Sequence, residues 1–374
     1  IFGRDRRCHR LPRPKMSIWR DRAGAGEGRG GQWKRTRCHH GRGAPSPVPR
    51  LARVSQSPPI DPADGADPAD DVAPAAVRPR RAAAPGQRRR KRRRPGRRGW
   101  VPNYHGAWGM LLLPPVLGAA VGGWSRVDAV VLPAWWCAYF SYWVLTQWMR
   151  TRSPRKRAPL RAPLAVYSAM TTVLAAVSLA LAPYLAGWGL LLVPLAAVAV
   201  HQAWCGKERS LLSGTVTTLA ASLMAPVVYD LGTGGHGGLL GLGAEASALR
   251  GESLNGSLTG WPWMWLLTGL LAAYFVGAVP YVKTMIRRRG DPRMIIGSIG
   301  FHAAVTAAAL GCAAGGLLSW AHALVWVLLL ARAVALPLIQ RRRMAGGRPL
   351  LRVKLVGRLE IVASLLVLLS LVLT

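Results

Sequence analysis

Ionisable side chains within an otherwise apolar chain are the residues that could do chemistry, because each is costly to place in hydrocarbon and so marks a ligand, a path or a partner. After residue 100 they gather, with neighbouring polar residues, at one end of the apolar segments, as His105, Gln147 with Arg150, His201 with Gln202, the run Lys207-Glu208-Arg209-Ser210, Tyr281 with Lys283, His302, Arg332, and Arg358 with Glu360, while the other end holds little beyond His322. These types suit anions: Arg offers a planar fork of N–H donors and Lys a compact positive charge, both matched to carboxylate or phosphate. Five apolar segments each bring such a group to a similar depth, so His105, Arg150, Arg209, Lys283 and Arg332 are expected to line one inward-facing site for an anion or phosphorylated headgroup. The seven acidic residues after position 100 cannot pair with all the basic ones. A second reading stays open, since Arg332 is about two turns from Gln340 and long basic side chains within that reach snorkel to the interface.

Catalytic signatures do not emerge. There is no Ser-His-Asp order, no HExxH, and no pair of carboxylates at catalytic spacing in the half where the polar residues gather. No catalytic residue, metal site or cofactor is assigned. Cys8-His9 and Cys38-His39-His40 contain metal-ligand types, but the two groups stand far apart and neither holds a CxxC. The five cysteines are odd in number and scattered, which does not make a disulfide framework. The GTGGHGG run from Gly232 to Gly238 lacks the GK[ST] of a phosphate loop, and the Asn255-Gly256-Ser257 sequon is assigned no role.

The elements that must position these groups are long apolar segments. A bilayer-crossing helix needs about 20 apolar residues, and nine windows qualify, at 107–123, 129–149, 163–182, 185–203, 211–229, 261–282, 295–313, 316–339 and 359–374. This predicts an all-α polytopic bundle. Its orientation follows from charge, because short cytoplasmic loops collect Lys and Arg. Of the 23 basic residues after position 100, 20 fall on one side of the nine-span layout; Arg126 and Arg250 fall on the other and Arg332 lies within a span. The expected topology therefore puts the N-terminus in the cytoplasm and the C-terminus outside. Pro114-Pro115 should kink or break the first span. Gly118/Gly122 and Gly311/Gly315 make GxxxG spacings that favour close helix approach. Trp135, Trp136, Tyr139, Tyr142, Trp143 and Trp148, with Trp261, Trp263 and Trp265, suit either headgroup depth or core packing.

Residues 1–100 are of a different class. They hold 27 of the 50 Lys and Arg in a stretch rich in Pro, Gly, Ala and Arg, and so cannot bury enough apolar surface to offset chain entropy. A disordered basic tail is expected, dispensable for insertion and either genuine or the product of a start site assigned too far upstream. Its run RRRKRRRPGRR stands directly before the first span, where such a cluster meets anionic lipid. The net charge of +35 would suit nucleic acid in a soluble protein and follows equally from membrane orientation and anionic headgroups; composition does not separate these, and with the apolar spans nucleic acid is not the expected partner.

The segment PNYHGAWGMLLLPPVLG (102–118), with KERSLLSG (207–214) and YVKTMIRRRG (281–290), resembles the YwiC-like family of bacterial integral membrane proteins. The resemblance covers residues 101–374 and implies a bacterial cytoplasmic membrane, but no activity. A nine-helix layout with polar loops after the second, fourth and sixth helices also looks like that of the UbiA-type prenyltransferases, which hold a magnesium diphosphate on Asp-rich motifs. Here the corresponding stretches are TQWMRTRSPRKR and KTMIRRRGDPR, with Asp291 their only carboxylate. The sequence therefore favours a non-enzymatic transporter or a lipid- or anion-interacting component, with a membrane-embedded transferase as the alternative.

Overall fold

A computed structural model of the chain describes residues 99–102 and 105–374; for His105 and Gly106 it gives the backbone alone. The expectations for the basic tail, apart from its last two residues, lie outside the described residues.

The fold is all-α. Among the described residues there is no strand, only one isolated antiparallel bridge between Glu252 and Thr259. The α-helices are α1 His105–Gly122, α2 Asp128–Arg150, α3 Pro154–Leu181, α4 Gly189–Trp204, α5 Leu211–Ser222, α6 Met224–Gly232, α7 Gly260–Ile286, α8 Pro292–Ala314, α9 Trp320–Ala345 and α10 Val353–Val372. A 3-10 segment, Pro183–Trp204 in its continuous run with α4, and the stacked pair α5/α6 each act as one rod, so nine rods stand side by side among the described residues. Eight are long and apolar enough to cross a bilayer; α1 contributes a shorter apolar stretch, Ala107–Gly122. The protein is a multi-pass membrane bundle.

Local sequence sets the rod ends. Ser210 caps α5 by accepting from the Ser213 N–H, Asp291 caps α8 by accepting from Arg293 and Met294, and Ser319 caps α9 by accepting from His322. Pro154 and Pro292 open α3 and α8, where a missing N–H costs nothing. The α5/α6 boundary has an equally simple cause: Pro226 has no N–H to give to the Ser222 carbonyl, so the ladder skips there while the chain keeps its direction.

Two expectations shift. Helix α3 begins nine residues earlier than its apolar window, so Arg155, Lys156, Arg157 and Arg161 ride on its first turns rather than in a loop; Arg and Lys are good helix formers and Pro154 supplies the start. Pro114-Pro115 does not break α1, which runs on as helix to Gly122. Its second half is held from outside: a Cβ on Gly118 would sit 2.1 Å from the Ala225 carbonyl oxygen, and one on Gly122 2.9 Å from that of Tyr229. That is the close approach the first GxxxG implies. The second pair does not act so, because nothing lies within 4 Å of a Cβ at Gly311, and one at Gly315 would meet only its own helix.

Helix α7 is the axis. It buries Trp261, Met264, Leu267, Leu271, Phe275 and Tyr281 and packs against α1, α5, α6, α8, α9 and α10. Trp261 and Trp263 are core residues, with Trp188, Trp261 and Trp265 stacked about Trp261 at centroid separations near 6 Å. The glycine run closes over this cluster: a Cβ on Gly237 would lie 1.6 Å from Trp261 Nε1, and Gly241, at φ +77°, is nearly as close. Outward-facing Leu and Val side chains such as Val173, Leu328, Val362 and Leu369 form the apolar surface that a bilayer would cover.

Contacts fix which loops share an end. Asn255 Nδ2 donates to the Gly315 carbonyl at 2.8 Å, Tyr229 Oη donates to the Arg250 carbonyl at 2.8 Å, and Ser319 Oγ lies 3.1 Å from Thr374 Oγ1. The turn after α1, the 233–259 loop, the α8–α9 turn and the C-terminus therefore meet at one end. Turns 151–153, 205–210, 287–291 and 346–352 lie at the other, which is the basic end.

Candidate functional site

Three of the five expected site residues take up two separate ion-pair groups. At the first, the end of α2 meets the turn between α4 and α5: Arg150 Nε lies 3.2 Å from Glu208 Oε1, and Arg209 Nε lies 3.7 Å from the same oxygen. Glu208 is largely shielded, with 15% of its side chain exposed, whereas Arg209 is about half exposed. Gln202 Oε1 accepts from Ser210 Oγ at 3.1 Å, which ties this turn to the cap of α5. Two guanidiniums sharing one carboxylate leave a positive charge uncompensated.

Lys283 belongs to the same end. Gly214 on α5 faces Val279 on α7, where a Cβ would stand 2.7 Å from Val279 Cγ1; one turn further along each helix come Ser210 and Lys283. The Lys283 carbonyl accepts from the Arg287 and Arg288 N–H groups, at 3.0 and 2.7 Å, and so closes α7.

The second group lies across α7. Tyr281 and Val279 are about 200° apart around the helix, and against Tyr281 stands Arg332, its guanidinium carbon 4.2 Å from the ring centroid. Arg332 Nη1 donates to Glu360 Oε1, and the two side chains are only 11% and 14% exposed. Tyr274 Oη donates to the Glu360 carbonyl at 3.0 Å. The ring of His302, fully buried, lies 6.5 Å from that of Tyr281, and its Nδ1, 2.7 Å from the Ser298 carbonyl, is the donor there. This tautomer follows because a carbonyl can only accept.

The geometry thus gathers Arg150 and Arg209, sets Lys283 at their end, and places Arg332 in a different polar group with its own carboxylate. The His105 side chain lies outside the described residues; its backbone opens α1.

Other polar groups stand apart from the expected site. The loop end holds two buried carboxylates: Asp230 accepts from Trp188 Nε1 at 2.9 Å, and Asp128 accepts from the Ser125 N–H at 2.8 Å. Standing at the edges of apolar windows, neither was singled out from the sequence. His322 is a locked core histidine. Trp326 Nε1 donates to its Nε2 at 3.0 Å, so its Nδ1 must carry the proton and donate to Ser370 Oγ at 2.8 Å. Asn255 uses its amide inside the loop, accepting from Ser253, Ser257 and the Ser257 N–H. Asp291, the carboxylate weighed for diphosphate chemistry, is engaged as the cap of α8 and lies 3.5 Å from Arg288. Among the described residues no group of three or more His, Cys, Asp or Glu is placed to hold a metal.

Residues 101–229 match the family model described as YwiC-like protein. The Uncharacterized protein YwiC of Bacillus subtilis (strain 168) is 27% identical over 202 residues, which is 54% of this chain and 73% of that protein. No solved structure matches. The matched region runs from α1 into α6 and contains two of the three motifs on which the resemblance rests, as well as Arg150 and Arg209.

Proposed function

We propose that this YwiC-like multi-pass membrane protein is a transporter or lipid-interacting component rather than an enzyme. In this reading it resides in a bacterial cytoplasmic membrane, and its basic end faces the cytoplasm and receives an anionic headgroup or small phosphorylated ligand at Arg150, Arg209 and Lys283. The observation that carries the reading is the arrangement at Glu208, where two guanidiniums share one carboxylate and Lys207 and Lys283 add further positive charge at the same end. An oxyanion supplies the missing charge in a partly desolvated setting, where charge-assisted hydrogen bonds are strongest. His105 joins this end through its place at the start of α1, and Arg332 forms a second polar position across α7.

Orientation rests on the positive-inside rule, with the anionic cytoplasmic leaflet as the natural partner of a basic end. The transferase alternative has no comparable support, since Asp291 is committed to capping α8.

Ligand binding stabilises the folded state by mass action, about 2.7 kcal/mol at a hundredfold excess over Kd. Thermal unfolding of purified protein in detergent should shift upward with inorganic phosphate or phosphatidylglycerol, and much less in Arg209→Gln, which leaves the Arg150–Glu208 pair in place. Equal shifts in wild type, Arg150→Gln and Arg209→Gln would remove the site.

A further inference from the structure

We infer, building on the headgroup reading above, that the groove between α4 and α7, floored by the α5/α6 rod, seats an acyl chain of an anionic glycerophospholipid whose phosphate is held at Arg209 and Lys283. The ligand is then a bilayer lipid rather than free phosphate. The groove has a volume of about 460 Å³ and is lined by Leu190, Pro194, Leu219, Gly269 and Ala272, with Trp265 toward the loop end. Leu190 is exposed on the surface that lipid covers, and nothing lies within 4 Å of a Cβ at Gly269, so the entrance is from the bilayer. Ser222 and Thr268 bring hydroxyls to the wall, but both donate to carbonyls of their own rods, those of Thr218 at 2.9 Å and Met264 at 2.8 Å. What the lining accepts is hydrocarbon.

Helix periodicity carries each wall from this apolar body to the basic end. Lys283 follows Trp265 by 18 residues, about five full turns, and so stands on the same face of α7 about 27 Å away, with Val276 between them. Seven residues, about two turns, relate Leu219 to Leu212 on α5 and Pro194 to His201 on α4. Leu212 is exposed, and just before it come Ser210, the cap of α5, and Arg209. The contact of Gly214 with Val279 holds α5 and α7 together along this lane and sets Ser210 and Lys283 at one level. A leaflet's hydrocarbon is about 15 Å deep, half the bilayer core. The groove starts at Ala272, about 16 Å from Lys283 by helix rise, so a chain drawn out straight along the lane passes into it. Charge fixes the head. Arg209, half exposed, shares Glu208 with Arg150, and among the described residues no carboxylate pairs with Lys283. A phosphodiester supplies the anion that both donors need.

The test is saturable binding of tritiated dioleoyl phosphatidylglycerol to the purified full chain in dodecyl maltoside, with the thermal shift on adding inorganic phosphate measured beside it. Binding should weaken by tenfold or more in Lys283→Gln, which loses the charge, and in Gly269→Phe, whose ring fills the groove from its open side. Ala272→Phe repeats the filling nearer the head. Both filled variants should keep the wild-type shift with phosphate, which shows that the fold and the basic end are intact. Dioleoyl phosphatidylcholine, neutral overall, should compete at least tenfold less well than unlabelled phosphatidylglycerol. Undiminished lipid binding in Lys283→Gln or in either filled variant, no saturable binding in the wild type, or equal competition by phosphatidylcholine would overturn the proposal. A wild type that binds no lipid yet keeps a phosphate shift sensitive to Arg209→Gln would sink the groove alone and leave the headgroup reading standing.

Discussion

Arg332 and Glu360 are the residues with most at stake. Twelve residues separate Arg332 from Trp320 at the start of α9, about 18 Å of helix, so the pair lies within the apolar depth of the bundle. Removing one partner of such a pair strands the other, at about 3–5 kcal/mol, whereas replacing both with apolar residues costs far less or nothing. Thermal unfolding in detergent should therefore show Arg332→Leu and Glu360→Leu each strongly destabilised and the double variant more stable than either. Additive losses would mean that the two side chains do not act as a pair. Both residues were legible as ionisable groups in apolar segments, but a sequence separation of 28 hid their partnership. Sequence separation says nothing of which helices adjoin. For the same reason Arg150, Arg209 and Arg332, alike in expected depth, read as one site, although α7 stands between them.

Helix-level features divide by whether a neighbour is needed to interpret them. Rod lengths, caps at Ser210, Asp291 and Ser319, and the proline starts are local, and they follow directly from residue type and order. The glycine pairs are not local. Gly118 and Gly311 carry the same spacing signal, yet only Gly118 has a backbone pressed against it. Gly118→Ala should lower the unfolding temperature in detergent by the equivalent of about 1–3 kcal/mol, the usual range for overpacking. Gly311→Ala should be neutral or stabilising, since Ala is the better helix former and its Cβ meets open space. The reverse order would contradict the α1–α6 contact. The continuity of α1 through Pro114-Pro115 has the same origin, because packing on α6 holds a stretch that its own ladder cannot.

At the scale of the whole molecule, two unlike ends follow from one chain. One end buries Asp128, Asp230 and a tryptophan cluster under a glycine-rich loop; the other carries 20 of the 23 basic residues after position 100. The up-and-down order was readable from apolar windows and charge alternation, because hydrocarbon thickness and the positive-inside rule act on short stretches of chain. The account turns on that basic end facing the cytoplasm, since only then does the Arg150–Glu208–Arg209 group meet the anionic leaflet. Its most direct test is single-cysteine labelling of whole cells in a background with Cys8, Cys38, Cys137, Cys205 and Cys312 replaced by Ser. A membrane-impermeant maleimide should label Leu242→Cys, in the exposed 233–259 loop, in intact cells, and Arg288→Cys only after permeabilisation. Labelling of both in intact cells, or of Arg288→Cys alone, would contradict the account.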